Sequence, residues 1–303
     1  MSKRARLLNV WLRQTEKRFL DRAKDPATLR RHMERTARVF FRAPRGVEFN
    51  TISLGLAQIP AERVTALSVV GGIGGGPMIL YLHGGGYLFG SPRTHRALVA
   101  HLAVRTGLLA VLPRYRLGPE HPFPAAPDDA LAAYYAVMDH PGGIILGGDS
   151  AGGGLALALL AQICALGLRQ PLGTFCFSPL TDLTFSGASF SANAKADPLL
   201  PAHRAIEMAQ MYLQGAVATD PRASPIFADF TGAGPVWMTA ATTEILLDDA
   251  ERMADHLMMQ GIDVTCVIEP NLPHVWPLFH GLIPEASQTL AELTGWITSL
   301  SRL

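Results

Sequence analysis

Cysteine is scarce in this 303-residue chain: Cys164, Cys176 and Cys266 are its three, each inside an apolar segment and at unrelated spacings. An odd count without a C-x-x-C pair argues against a disulfide framework and a zinc site, and leaves three small buried hydrophobes. No other cluster of metal-ligating side chains occurs, so no metal is expected. Net charge is nearly absent too, at +1, which removes any global pull toward nucleic acid. No run approaches the roughly 18 apolar residues of a membrane span without Gly, Pro or charge interrupting it. Arg4, Arg6 and Arg13 break the N-terminus where a secretory signal would be apolar. These absences predict a cytoplasmic protein with no nucleic-acid partner and no stable membrane insertion.

What is abundant is apolar surface: 49% of the residues are hydrophobic, enough for one large core or a core with a smaller appendage. The near-zero charge conceals an asymmetry. Residues 1–46 hold 14 Lys and Arg against four Asp and Glu, a balance of +10, and the remainder holds 12 against 21, a balance of −9. A basic arm on an acidic body reads as a segment docked by complementary charge or as a solvated face, ahead of a membrane or nucleic-acid patch.

Two amphipathic stretches open the chain. Leu7, Leu8, Trp11, Leu12, Phe19 and Leu20 recur at helical spacing, and Pro26 marks the first turn of a helix toward Phe41. Trp11, Leu12, Phe19 and Leu20 are expected to face inward. From Val47 the period changes: residues 47–56 and 63–70 read as strands separated by Ile59-Pro60 and closed by the Gly71–Gly76 cluster. No helix follows that cluster, so it reads as a strand connection rather than a phosphate loop. Strands then alternate with helices. Strands are expected at 78–83, 108–112, 144–147, 173–177, 236–241 and 264–269, and helices at 93–105, 125–138, 151–166, 247–260 and 284–300. That alternation predicts an α/β fold, a mostly parallel sheet flanked by helices. Residues 182–225 interrupt it with polar turns and one helix (202–213), as a lid or cap would.

Gly148-Asp149-Ser150-Ala151-Gly152 joins the apolar run Ile144–Gly147 to the helix from Ala151. Small residues on both sides of Ser150 permit a sharp strand-to-helix turn that holds its Oγ out as a nucleophile. His83-Gly84-Gly85-Gly86-Tyr87 follows another strand, and glycines in a row can turn N–H groups into a cavity. With the Ala151 amide, the Gly84 and Gly85 amides would make a three-donor oxyanion hole, each donor worth about 100–1000-fold in rate. His83 reads as an anchor of that loop. A base is then needed. His32, His95, His101, His203 and His256 fall within helical patterns and read as ordinary surface or interface residues. His274 directly follows the last strand, in a loop at the sheet edge that bears Ser150, and His280 is the runner-up. The acid is expected after the penultimate strand, at Glu244. Asp248 and Asp249 read as first-turn residues of the next helix, with Asp248 capping it. The order Ser150, Glu244, His274 is nucleophile, acid, base.

His83-Gly84-Gly85-Gly86, the stretch Tyr115-Arg116-Leu117-Gly118-Pro119-Glu120-His121-Pro122-Phe123-Pro124-Ala125-Ala126, and Gly148-Asp149-Ser150-Ala151-Gly152-Gly153 together resemble the bacterial hormone-sensitive-lipase-type esterases. Asp197-Pro198-Leu199-Leu200 is similar to the family's cap segment. The resemblance implies an α/β-hydrolase core of eight strands with a helical cap, and hydrolysis of short acyl esters without a cofactor. It divides the chain into N-terminal cap helices (1–46), a first part of the core (47–181), a cap insertion (182–225) and a second part of the core (226–303). It carries the triad onto Ser150, Glu244 and His274 and the oxyanion donors onto Gly84, Gly85 and Ala151, with a homodimer through an edge strand. Asp149 and Glu120 fall where the family braces the turn and a neighbouring loop. Two residues depart from the pattern: the acid is more often Asp than Glu, and Arg114 stands where an acidic or amide residue often precedes the Tyr-Arg pair. Two alternatives stay open, a relative that binds small molecules without turnover, and an amidase or acyltransferase with the same triad. The expected outcome for an esterase of this kind is turnover of p-nitrophenyl acetate or butyrate that persists in EDTA; activity abolished by the chelator would contradict it.

Overall fold

The computed structural model describes residues 1–23, 25–67 and 76–300. Its centre is a sheet of eight strands in the order β1-β2-β4-β3-β5-β6-β7-β8. These are β1 (Val47–Leu54), β2 (Ile59–Ala66), β3 (Met78–Leu82), β4 (Leu109–Pro113), β5 (Ile144–Asp149), β6 (Gly173–Phe177), β7 (Val236–Ala241) and β8 (Val264–Glu269). β1, β2 and β4 pair antiparallel, and every pairing from β4 to β8 is parallel. The interior strands β3, β5, β6 and β7 are buried along their whole length, because helices cover both faces.

The period of two along each strand sorts side chains between two cores. On β3, Met78, Leu80 and Leu82 join the core beneath α5 (Ala125–Val137), α6 (Ala151–Ala165) and α9 (Leu247–Met259). Ile79 and Tyr81 join the opposite one, shared with α1 (Lys3–Gln14), α4 (Pro92–Thr106) and α10 (Pro284–Leu300).

The second expected strand is displaced. β2 starts at Ile59 and contains Pro60, because a tight turn at 55–58 pairs Leu54 with Ile59. Proline is tolerated there, at the start of a strand, and its carbonyl accepts from the Arg114 amide (2.7 Å). Residues 68–70, where that strand was expected to end, and nearly all of the Gly71–Gly76 cluster lie outside the described residues. The first amphipathic stretch is two helices, α1 and α2 (Glu16–Arg22), broken at Thr15, and α3 (Pro26–Phe40) follows. Between β6 and β7 stand α8 (Ala202–Leu213), as expected, and α7 (Ala188–Ala192), which was not.

The basic N-terminal segment docks mainly on backbone oxygens. Lys17 Nζ donates to the carbonyls of Ala194 (2.9 Å) and Asp197 (2.7 Å), and Arg30 donates to those of Leu88 and Gly118 and pairs with Glu120. The buried Arg204 of α8 reaches back to the carbonyls of Leu20 and Ala23. Glu120 therefore ties its loop to the N-terminal helices through Arg30.

β5 and α6 meet at Ser150, which adopts φ +53°, ψ −125°, a conformation most side chains avoid. Its amide donates to the Phe177 carbonyl (2.8 Å), and its carbonyl accepts from Gly154 and Leu180 (3.0 Å each), so the turn is held from both sides. α6 also runs so close to the end of β3 that a Cβ on Gly152 would fall on the Leu82 and His83 carbonyl oxygens. Gly152→Ala is therefore expected to destabilise the fold by about 1–3 kcal/mol, as overpacked core substitutions do, with esterase activity falling alongside. A thermal melt and activity unchanged from wild type would contradict this packing.

Candidate active site

The turn presents Ser150 Oγ 2.9 Å from His274 Nε2. His274 comes from the loop after β8, and its Nδ1 lies 2.5 Å from Glu244 Oε2, on the loop after β7. The structure thus brings together the three side chains expected to act together. The other Glu244 oxygen accepts from Ser178 Oγ (2.8 Å) and from the Ala241 amide (2.7 Å). Ser178 Oγ in turn accepts from the Val275 amide (3.1 Å), so one hydroxyl ties the acid's strand end to the histidine's loop. Ser178, just beyond β6, was not foreseen, since one serine after a strand carries no signal in the sequence.

Burial alone would lower the His274 pKa, but the Glu244 carboxylate beside it, with Asp197 and Asp149 further off, raises it above the ordinary 6.5. Asp197 is fully buried nearby; burial pushes its carboxyl up, against the Leu199 and Leu200 amides that it accepts from. Its second oxygen accepts from the Ile245 amide (3.0 Å), next to Glu244. The other histidines stand elsewhere. His280 is buried edge-on against His101 at 4.0 Å and driven down to about 4 by burial, with His101 and Arg105 adding to the effect. Among the described residues, no contact joins it to Ser150. His83 is likewise held down to about 3 by burial; its Nδ1 lies 3.0 Å from the Gly84 carbonyl and its ring stacks on Tyr115, as an anchor would.

His95, read from the sequence as an ordinary helix residue, is completely buried, with Nε2 3.2 Å from Asp149 Oδ2. The other Asp149 oxygen accepts from Tyr81 Oη (2.8 Å) and from the Gly84 amide (3.0 Å). Burial would raise this carboxyl, yet His95, Tyr81 and His83 together keep it below the usual carboxylate range. The Gly84 contact corrects one expectation: that amide is spent on Asp149 and does not point at an oxyanion. The Gly85 and Gly86 amides, next along, have no acceptor among the described residues, nor does the Ala151 amide at the start of α6.

Asp248 is a second correction. It caps no turn of its own helix; its carboxylate accepts from the Ser189 amide at the start of α7 (3.0 Å), and Ser189 Oγ accepts from the Asp248 amide. Asp249 stands in the first turn of that helix, as expected, but faces the interior. It is buried and pushed up to about 7 by burial, accepting from the Thr181 and Asp182 amides. Arg114 is exposed, and nothing in the structure explains why an arginine stands there.

Ser150 opens into an apolar cavity of about 170 Å³. Leu180, Leu183, Ile245 and Leu246 wall it from the sheet side, Met208 and Ala209 from α8, and Phe19, Leu20, Leu29 and Met33 from the N-terminal helices. Of the four N-terminal residues expected to face inward, Phe19 and Leu20 reach this cavity, whereas Trp11 and Leu12 line a neighbouring groove. Among the described residues no group of His, Cys, Asp and Glu is arranged to hold a metal, and no helix is long and apolar enough to cross a membrane.

Comparison with known proteins agrees with this geometry. Residues 79–278 match the alpha/beta hydrolase fold family. An acetyl-hydrolase of Streptomyces hygroscopicus is 38% identical over 223 residues, 73% of this chain and 74% of that protein. An esterase of Acinetobacter venetianus is 32% identical over 279 residues, 91% of this chain and 89% of its own. The crystal structure of an esterase from the bacterial hormone-sensitive lipase family superposes with a TM-score of 0.90 at 32% identity, over 99% of both chains. A match of this extent, on a fold whose strand-to-helix turn carries Ser150, places the chain in the alpha/beta hydrolase fold family, among the bacterial hormone-sensitive-lipase-type carboxylesterases that hydrolyse ester bonds.

Proposed function

We propose that this carboxylesterase works through Ser150, His274 and Glu244 on esters of short acyl chains. The observation that carries the reading is the unbroken chain of contacts from Ser150 Oγ to His274 Nε2 (2.9 Å) and from His274 Nδ1 to Glu244 (2.5 Å), at the floor of an apolar cavity. Neutral His274 takes the proton of Ser150 Oγ as that oxygen bonds to the ester carbonyl carbon. Glu244 holds the ring's tautomer and stabilises the imidazolium that forms. The carbonyl oxygen, now an oxyanion, takes hydrogen bonds from free backbone amides. Gly85 and Ala151 fit that role as the sequence leads one to expect, and Gly86 replaces Gly84 as the third donor. Collapse breaks the bond to the alcohol, which leaves with the His274 proton. Water then attacks the acyl-enzyme by the same route, returning the acid product and free Ser150.

The acyl chain lies among apolar side chains contributed by residues 1–46 and 182–225, which in this reading form the cap over the core parts 47–181 and 226–303. The size of the cavity and the acetyl-hydrolase among the relatives support a short chain. β8, an edge strand with one side unpaired among the described residues, supports a homodimer.

The assignment is tested by mutation. Ser150→Ala is expected to lower kcat on p-nitrophenyl butyrate by roughly 10⁶, and Glu244→Gln by about 10⁴. Glu244→Asp keeps partial activity, and Asp248→Asn stays close to wild type. A healthy Glu244→Gln beside a dead Asp248→Asn would overturn the choice of acid.

Because only the neutral imidazole accepts a proton, kcat/KM should rise with pH as His274 deprotonates. The raised His274 pKa puts the midpoint of that limb above the ordinary 6.5. A rate profile flat from acid to neutral pH, or a midpoint well below 6.5, would contradict a histidine held beside a carboxylate.

A further inference from the structure

Beside the Ser150 cavity runs a second apolar groove of about 350 Å³, between α1, α3 and the turn at Trp276–Phe279. The two share Glu16, Met33, Thr36, Leu199, Leu278 and Phe279 as common walls, so the groove leads from the reaction centre toward the surface. Its rim is unusual for a solvated face. Leu7 is 70% exposed, Phe40 40% and Leu282 38%, with Val10 (58%) and Val39 (60%) standing free nearby. Lone exposed apolar residues are ordinary, but a run of them at the mouth of an apolar groove marks a surface that something covers.

Charge indicates what covers it. On α1, residues 3, 6, 7 and 10 follow the spacing of one helical face, so Lys3 and Arg6 flank Leu7 and Val10. Arg35 lies one turn before Val39, and Arg38, Arg42 and Arg45 follow along the same segment. All six of these cations are exposed, and none has a carboxylate partner among the described residues. The four acids of residues 1–46 are engaged elsewhere: Glu16 with His32, Asp21 with His203, Glu34 with Ser91, and Asp25 at the cap of α3. Cations interleaved with exposed leucine, valine and phenylalanine fit an anionic lipid surface, which offers both headgroup charge and hydrocarbon. A nucleic-acid backbone would meet the cations and leave the apolar side chains in water.

We infer that the outer face of α1 and α3 seats this esterase reversibly on anionic phospholipid surfaces, with the groove as the port through which lipid-borne esters reach Ser150. The inference rests on the esterase reading above and adds to it where the substrate is drawn from. It requires no spanning segment: the helices lie in the interface, and charge and a few apolar side chains hold them there.

The test uses the full chain and vesicles of phosphatidylcholine with or without one third phosphatidylglycerol. Co-sedimentation is expected with the anionic vesicles only, and it should weaken as salt is raised. Val10→Glu and Arg6→Glu, both on the outer face and away from the ester cavity, are expected to weaken partition about tenfold each. Both variants should hydrolyse dissolved p-nitrophenyl acetate at the wild-type rate, which also reports that they fold, and lose rate on a p-nitrophenyl ester carried in the anionic vesicles. Absence of wild-type binding to anionic vesicles, or variants that bind as well as wild type, overturns the inference. So does a concentration-dependent dimer that Val10→Glu dissolves, since a second copy would then cover the face. Failure of the wild type on the dissolved ester would instead sink the esterase reading, so the two failures are distinguishable.

Discussion

The site depends on how closely α6 can approach the end of β3. With no side chain at Gly152, the first turn of α6 rests against the Leu82 and His83 carbonyls. That contact brings Asp149, the residue before Ser150, within reach of the glycine loop that follows β3. Asp149 then takes the Gly84 amide and Tyr81 on one oxygen and faces His95 with the other. One buried carboxylate thereby sets the spacing between the serine turn and the glycine loop after β3. A Cβ on Gly84 would collide with this same carboxylate, so the loop must be glycine there for a packing reason.

The acid side is built on the same plan. An isolated buried carboxylate is costly to desolvate, and each one here is offset by hydrogen-bond donors. Glu244 has Ser178 and the Ala241 amide on one oxygen and His274 on the other. Asp197 holds three backbone amides, and Asp249 holds those of Thr181 and Asp182. Because these donors come from the ends of β6 and β7 and from the segment between them, the loops around His274 cannot drift independently. The lowered His83 and raised His274 belong together: two histidines in one region are sent in opposite directions, the first by burial and His95, which outweigh the pull of Asp149, the second by Glu244 at 2.5 Å.

Much of this was legible in the sequence, and the reasons differ by element. Apolar runs bounded by glycine and helices of steady period located the interior strands, because burial on both faces leaves an unambiguous signature. β2 escaped because its hairpin register, not its composition, decides where it starts, and Pro60 read as a break. Ser150 and His274 stood out as candidates because a nucleophile needs a special turn and a base needs a loop at the same sheet edge, and the structure places their side chains 2.9 Å apart. Glu244 could be separated from Asp248 by its place at the strand end, although Asp248 braces α7 rather than capping its own helix. What stayed hidden was every residue acting through a partner distant in the chain. His95 sits in an ordinary helical pattern until Asp149 is placed beside it. Ser178 is one serine among several, and the loss of the Gly84 amide to Asp149 depends on two loops meeting 65 residues apart.

Covalent labelling tests the central claim, that Ser150 is made nucleophilic by His274, most directly. Diethyl p-nitrophenyl phosphate reacts with an activated serine, so intact mass after brief exposure should show one diethylphosphoryl group per chain, and peptide mapping should put it on Ser150. His274→Ala should remain unlabelled over the same interval. A label on another residue, or equal labelling of the His274→Ala protein, would contradict the account.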